Sequence, residues 1–402
     1  MTTVEAIRTA GSNSVPGRSM PIARILLLEA LLAGAAGAYY VGTFWLAGTL
    51  LALSIAIAVF GFRRREGISW AQRRALTKKF AAAAAVAAPA PPAPAAPVAP
   101  QSDVVLVALK AIAPALRLTD ATHRGRTIGV AEDGAGWFAA VDLAPGRGLD
   151  GNRHTQVSVA HLAELLVAEH LPVTAIQVVA TSVPAPAPGA ETGSPCRRSY
   201  LSLIADRPIV ADHSLRIVAR LSGGDAAAAS AARGGGLKGV QRALAATLGN
   251  VVATVSAPDC VVETLDAAQL GAALLDSLYP AGFDPRQQTT VDEQWQAWHG
   301  KSLVHRTWRL KGWPRIPLSE LHDRLVYTGI QTVVTSLTLR KDPYGTQPTA
   351  DLLVRLVMPL SELAAGDDRL TLALRAVNLS AEPVDGRQAA AAYASAPTAG
   401  SI

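Results

Sequence analysis

The chain has 402 residues, half of them apolar by type, yet only 5% are aromatic and 17% charged; so little charge, against about 25% in an average soluble domain, argues against wholesale disorder and points to apolar segments beyond an ordinary core. Two cysteines exclude a disulfide framework and a multi-cysteine zinc site. The net charge of +6 sits in the first hundred residues, with 10 Lys+Arg against 3 Asp+Glu; residues 101–402 carry 27 against 28, so the main region lacks the basic surface of a nucleic-acid-binding domain.

Residues 1–20 read as a short cytosolic segment. From Ala30 to Phe62 there are 33 positions without a charge. A crossing helix needs ~20 apolar residues, so this stretch predicts a two-helix transmembrane hairpin over 21–62, about Pro21–Tyr40 and Thr43–Phe62. The turn falls at Tyr39–Trp45, where aromatic rings favour a membrane interface and Gly42 suits a tight reversal. Arg8, Arg18 and Arg24 precede the pair; Arg63, Arg64, Arg65, Arg73, Arg74, Lys78 and Lys79 follow it. Basic flanks stay on the inner side. The expectation is therefore a two-pass protein of the inner (plasma) membrane, with the lipid bilayer as a partner and both termini in the cytoplasm. Glu29 lies one turn inside the first helix, placed to reach the interface or pair with a flank. Arg18–Ala38 also has the outline of a signal peptide ending in Ala36-Gly37-Ala38, but Glu29 interrupts its apolar run and a second apolar segment follows at once. The basic stretch 63–80, with Trp70 inside it, reads as a juxtamembrane flank, as a helix on anionic headgroups, or as both.

Residues 81–100 hold 12 Ala, 6 Pro and 2 Val and nothing else, the composition of an extended spacer. Region 101–388 then reads as one cytosolic domain. Strands are expected at Arg126–Val130 and Trp137–Leu143 around Glu132-Asp133-Gly134, at Val173–Thr181, Tyr200–Ile204, Leu215–Leu221, Cys260–Glu263, Lys301–Leu310 and Arg369–Val377. Alternation marks two more, Val333–Leu339 and Leu352–Leu356, about the turn Asp342-Pro343-Tyr344-Gly345. Helical spacing appears in Ser158–His170, in Leu237–Val252, after an N-cap at Asp266 to about Leu278, and in Pro317–Tyr327. The stretches 184–195 and 226–232 read as loops, and 389–402 as a flexible C-terminal tail with at most a short helix. The fold class expected is α+β: an N-terminal two-helix transmembrane hairpin followed by a cytosolic mixed α/β domain with an extensive, partly antiparallel sheet.

Chemistry is sparse. Gly129–Gly134 has the outer Walker spacing without its Lys and Ser/Thr, and Gly234-Gly235-Gly236 before a helix matches no nucleotide fingerprint. The histidines 123, 154, 161, 170, 213, 299, 305 and 322 form no metal-binding spacing with each other or with Cys196 and Cys260. No GxSxG elbow is present. No cofactor, metal or catalytic set is expected. What stands out is aromatic: Trp295, Trp298, Trp308 and Trp313, interleaved with Arg306, Arg309 and Arg315. Tryptophan and arginine concentrate in binding hot spots and stack on one another. The cluster reads either as local core at a sheet entrance or as a partner-docking surface.

Three segments carry a resemblance: Ile128–Val141, the block Trp295–Pro314 with Leu303-Val304-His305-Arg306-Thr307-Trp308, and the late Leu-rich stretch ending at Asp385-Gly386-Arg387-Gln388. With the order of a basic N-terminus, an apolar helix pair and a mixed domain, the chain resembles the EccE family of actinobacterial type VII (ESX) secretion systems from about residue 20 to 388. The resemblance implies a non-catalytic structural subunit of the secretion membrane complex, anchoring a cytosolic protein-interaction domain at the inner membrane beside EccB, EccC and EccD. EccC would supply the ATPase. The rival expectation is a membrane-tethered transferase-like enzyme with a sugar-nucleotide fold.

Overall fold

The computed structural model describes residues 22–62, 101–145, 157–168, 171–185, 209–256, 260–280, 292–300, 303–328, 330–342 and 347–402, with isolated positions between 64 and 78 and between 195 and 202. The N-terminal segment 1–20, Arg63, Arg73, the spacer 81–100, His154, His170, Cys196, the turn residues Pro343–Gly345 and, Ser202 apart, the expected strand Tyr200–Ile204 lie outside the described residues. The chain divides into two compact units, with a boundary between Ala88 and Pro89.

In the smaller unit the charge-free stretch does form two helices, α1 (Ile22–Tyr40) and α2 (Phe44–Phe62), of 19 residues each. Gly42, at φ 79°, makes the reversal. The helices meet through small side chains, Ala35, Ala38, Ala47 and Ser54 being buried. At the turn Tyr39 meets Phe44 edge to face at 5.6 Å.

The expected membrane crossing is overturned: among the described residues no helix is long and apolar enough to cross a membrane. The physical reason is reach. At 1.5 Å per residue each 19-residue helix is about 28 Å long, against a hydrocarbon core about 30 Å thick. The transmembrane hairpin, the two-pass inner-membrane localisation with cytoplasmic termini, and the anchoring role that rested on them are withdrawn. Of the expected membrane flank, Arg64 and Arg65 pair antiparallel with Ser69 and Ile68 in a two-residue ladder.

The larger unit is a twelve-stranded sheet with helices on both faces. In chain order its elements are α3 (Gln101–Lys110), β1 (Arg117–His123), β2 (Arg126–Glu132), β3 (Trp137–Pro145), α4 (Val159–Val167), β4 (Ala175–Ala185), β5 (Ile209–Leu221), α5 (Gly223–Ala231), α6 (Gly236–Val255), β6 (Cys260–Thr264) and α7 (Ala267–Leu278). Then come β7 (Asp292–Glu293), β8 (Trp298–Gly300), β9 (Leu303–Lys311), α8 (Leu318–Val326), β10 (Thr332–Arg340), β11 (Thr349–Met358), α9 (Leu363–Arg375), β12 (Ser380–Pro383) and α10 (Gln388–Ser395). The strands follow the order β1-β2-β3-β5-β4-β10-β11-β9-β8-β7, with β6 on β3 and β12 on β9. Every pairing described is antiparallel.

Local chemistry accounts for the joints. Arg124 and Gly125, at φ 50° and 76°, form the two-residue reversal between β1 and β2. Between β2 and β3, the Asp133 carboxylate accepts from the Ala135 and Gly136 amides at 3.1 Å each. β2 pairs with β3 at two positions only, and β6 then takes over the vacated edge. That handover requires a glycine: the Gly129 amide donates to the Leu265 carbonyl at 2.7 Å, and a Cβ at 129 would collide with the Asp266 backbone.

Alternation sorts the core into two layers. Ala139, Val141, Ile217 and Ala219 face α4, α5, α6, α8 and α9; Phe138, Ala140 and Val218 face α3, α7 and α10. Two further expectations are corrected. The Ala-rich 226–232 stretch lies mostly in helix α5, as alanine's helix propensity favours. Arg369–Val377 falls in helix α9 rather than a strand.

Candidate functional site: a polar stripe under the last segment

Charged and amide side chains inside apolar strands are costly unless partnered. Here they line up. Arg220 on β5, Gln177 on β4, Ser336 on β10, Arg355 on β11, and His305 with Thr307 on β9 occupy five consecutive strands. All six are at most 4% exposed. By alternation they share the face that carries α7 and α10.

The segment 388–402, of which 389–402 was expected to be a flexible tail, closes this stripe. Gln388, Ala391, Ala392, Ser395, Ala396, Thr398 and Ala399 are fully buried. The sheet's side chains hold the segment by its main chain. The Gln177 amide donates to the Ala394 carbonyl at 2.7 Å and accepts from the Thr398 and Ala399 amides at 3.1 and 2.6 Å. Arg220 donates to the Thr398 carbonyl at 2.9 Å, and Arg340 donates to the carbonyls of Ala399 and Gly400. Gln388 accepts from the Thr307 amide at 2.8 Å, extending the ladder with a side chain.

Two cations anchor the stripe by different means. Arg220 makes a bidentate pair with Asp133 at 2.7 and 2.9 Å, both side chains at most 5% exposed. The Tyr393 hydroxyl donates to the same carboxylate at 3.1 Å, and burial together with that negative charge pushes its pKa up. Arg355, fully buried, instead donates to neutral acceptors: Ser395 Oγ at 2.8 Å, the Ser277 carbonyl at 2.7 Å, Ser277 Oγ at 2.7 Å and His305 Nδ1 at 2.9 Å. Burial lowers its pKa to about 9. Because a guanidinium only donates, His305 Nδ1 is unprotonated and its proton rests on Nε2. Burial, then the Arg355 charge, hold His305 well below the ordinary histidine range.

A second cluster lies on the opposite face. Ser182 Oγ is 2.9 Å from His213 Nδ1 and 2.8 Å from His322 Nε2, and His322 Nδ1 is 2.9 Å from Thr335 Oγ1. Burial, with His213 nearby, lowers the His322 pKa to about 3, so this ring is a poor proton acceptor at neutral pH. A hydrolytic serine needs a base poised near the working pH and oriented by a carboxylate; here a threonine holds the far nitrogen. Among the described residues no group of three or more metal-ligating side chains comes together.

The expected docking cluster is not gathered on one surface. Trp298 is 1% exposed, edge to face with Tyr279 at 5.6 Å and 4.4 Å from His305, in the layer under α7 and α10. Trp308 is buried in the opposite layer, under the Arg306 guanidinium at 5.3 Å. Arg306 is itself buried, 3.0 Å from Asp367 and 3.4 Å from Asp385. Arg309 is half-buried in a bidentate pair with Asp351 at 2.8 and 3.1 Å. Trp313 packs half-buried on the core, and Trp295 lies over Gly386, whose amide donates to the Trp295 carbonyl at 2.7 Å. Sequence reading missed Arg220, Gln177 and Arg355. Their signal was present: a lone polar residue inside an apolar strand, as in Leu352-Leu353-Val354-Arg355-Leu356-Val357, marks a buried partner.

Residues 209–310, from β5 into β9, match the family model described as "Putative type VII ESX secretion system translocon, EccE". The matched region contributes Arg220, Ser277, His305 and Thr307 to the stripe; Asp133, Gln177, Ser336, Arg355 and the closing segment lie outside it. A comparison with curated proteins finds no match.

Proposed function

We propose that the sheet domain is a non-enzymatic protein-docking component associated with type VII secretion, working beside subunits of the EccB, EccC and EccD type. The observation that carries the reading is the EccE match over 209–310. The geometry supports it: the polar side chains of the stripe are turned to internal hydrogen bonds that brace five strands and the last segment, which leaves a rigid platform. The test is affinity purification of the full chain, tagged in a host carrying an ESX locus. Co-elution of the FtsK-like ATPase of that locus is expected; recovery of the chain free of every ESX subunit overturns the reading. Thermal unfolding of the same preparation is expected not to shift with nucleotides or nucleotide sugars, and a saturable stabilisation would instead favour an enzyme.

A further inference from the structure

Ser182, His213, His322 and Thr335 form one line of hydrogen bonds from β5 to β10, and only His213 is exposed. Ser182, His322 and Thr335 are at most 5% exposed. Ser182 has a single proton and two lone pairs and faces two imidazole nitrogens, so its proton is bonded on this line when one nitrogen accepts it and the other donates to the oxygen. The line therefore has two directions. In one, Thr335 donates to His322 Nδ1, His322 Nε2–H donates to Ser182, and Ser182 donates to His213 Nδ1. In the other, His213 Nδ1–H donates to Ser182, Ser182 donates to His322 Nε2, and His322 Nδ1–H donates to Thr335.

We propose that this line is a pH-reading relay: protonation of the exposed His213 reverses it and switches the buried His322 from its Nε2–H to its Nδ1–H tautomer. With both rings neutral, the first direction lets each histidine keep its proton on Nε2, the form a free neutral imidazole favours. Once His213 is protonated, both its nitrogens bear hydrogen, and the second direction is the one that still gives the Ser182 proton a nitrogen to bond. The balance is one proton gained, at His213; the other three groups keep their proton count and change only the neighbour they address. His322 stays neutral throughout, since burial and the charge on His213 both oppose a second cation. Among the described residues, the titratable groups facing this line are His213 from β5 and His322 from α8. β4 contributes the Ser182 hydroxyl and β10 the Thr335 hydroxyl; Arg324 and Glu320 of α8 pair with each other at 2.7 Å, and Arg340 lies at the far end of β10. The device carries a solvent protonation event into the seam between α8 and the sheet.

The test is long-range 1H–15N correlation NMR on the full chain with 15N-labelled histidine, from pH 8 to pH 5. The His322 nitrogens are expected to exchange their protonated and bare signatures with a midpoint equal to the titration of His213. In His213→Ala the His322 tautomer is expected not to change with pH. In Ser182→Ala, which removes the bridge, His213 should still titrate while His322 no longer follows. A His322 tautomer that stays fixed while His213 titrates overturns the relay, as does a His322 that takes up its own proton within this range.

Discussion

His322 and His305 are held neutral by burial, and this makes the protein's stability depend on pH in a defined direction. An unfolded histidine titrates near 6.5, whereas burial lowers folded His322 to about 3. Between those values the unfolded chain binds a proton that the folded chain does not, so stability falls as pH falls through 6.5, by up to about 1.4 kcal/mol per pH unit for each such group. His305 acts with the same sign. Urea unfolding between pH 7 and pH 5 is expected to show this slope, and His322→Gln to reduce it by about one histidine's share; an unchanged slope in the variant counts against a neutral buried ring. Arg220 tests a different balance. Its pair with Asp133 is desolvated, and removing one member leaves the other charge buried without compensation, a loss of about 3–5 kcal/mol. Arg220→Met is expected to lower the urea midpoint accordingly, and Asp133→Asn, which keeps shape and some hydrogen bonding, to cost less.

Elements whose ends carry their own chemistry were legible in the sequence, and those set by tertiary context were not. Helix α7 begins where Asp266 predicts, with a reciprocal capping box to Gln269 at 2.8 and 2.9 Å. Asp266→Ala is expected to cost about 1 kcal/mol in thermal or urea unfolding. Gly129→Ala should cost about 1–3 kcal/mol, because its methyl group meets the backbone at the start of that helix and not a yielding side chain. Helix α9 was misread because Leu370, Leu372 and Leu374 alternate like a strand. In the fold Leu370 and Leu374, four apart, are buried while Leu372 is 72% exposed, the helical answer to the same letters. Strand β1 was missed because Arg117–His123 is an edge strand with mostly outward-facing polar residues, so burial never imposed a hydrophobic pattern on it. The apolar pair α1 and α2 was readable as two helices and a glycine turn; the inference from apolarity to crossing length failed.

At the scale of the whole sheet domain, the last fifteen residues decide whether the rest is stable. Composition made them look dispensable, since 388–402 is nearly half alanine with few large side chains. Alanine is what lets the segment lie close enough for side chains of β4, β5 and β10 to grip its main chain. Removing it would strip Gln177 of three hydrogen-bond partners, Arg220 of the Thr398 carbonyl, Arg355 of Ser395, and the Asp133 carboxylate of the Tyr393 hydroxyl. Water reaches these groups once the segment is gone, so each lost hydrogen bond costs about 0.5–1.5 kcal/mol, more when charged. Four such sites, together with the newly exposed face of the sheet, approach or exceed the roughly 5–15 kcal/mol by which a domain is stable. A chain ending at Arg387 is therefore expected to lose its cooperative urea transition and to exchange amide hydrogens freely in β4, β5 and β10. The control is an extension after Ile402: Ser401 is exposed and Ile402 half-buried, so a short polar addition there should leave the midpoint unchanged. If the shortened chain instead unfolds as sharply as the full one, the polar stripe is not what holds the strands together.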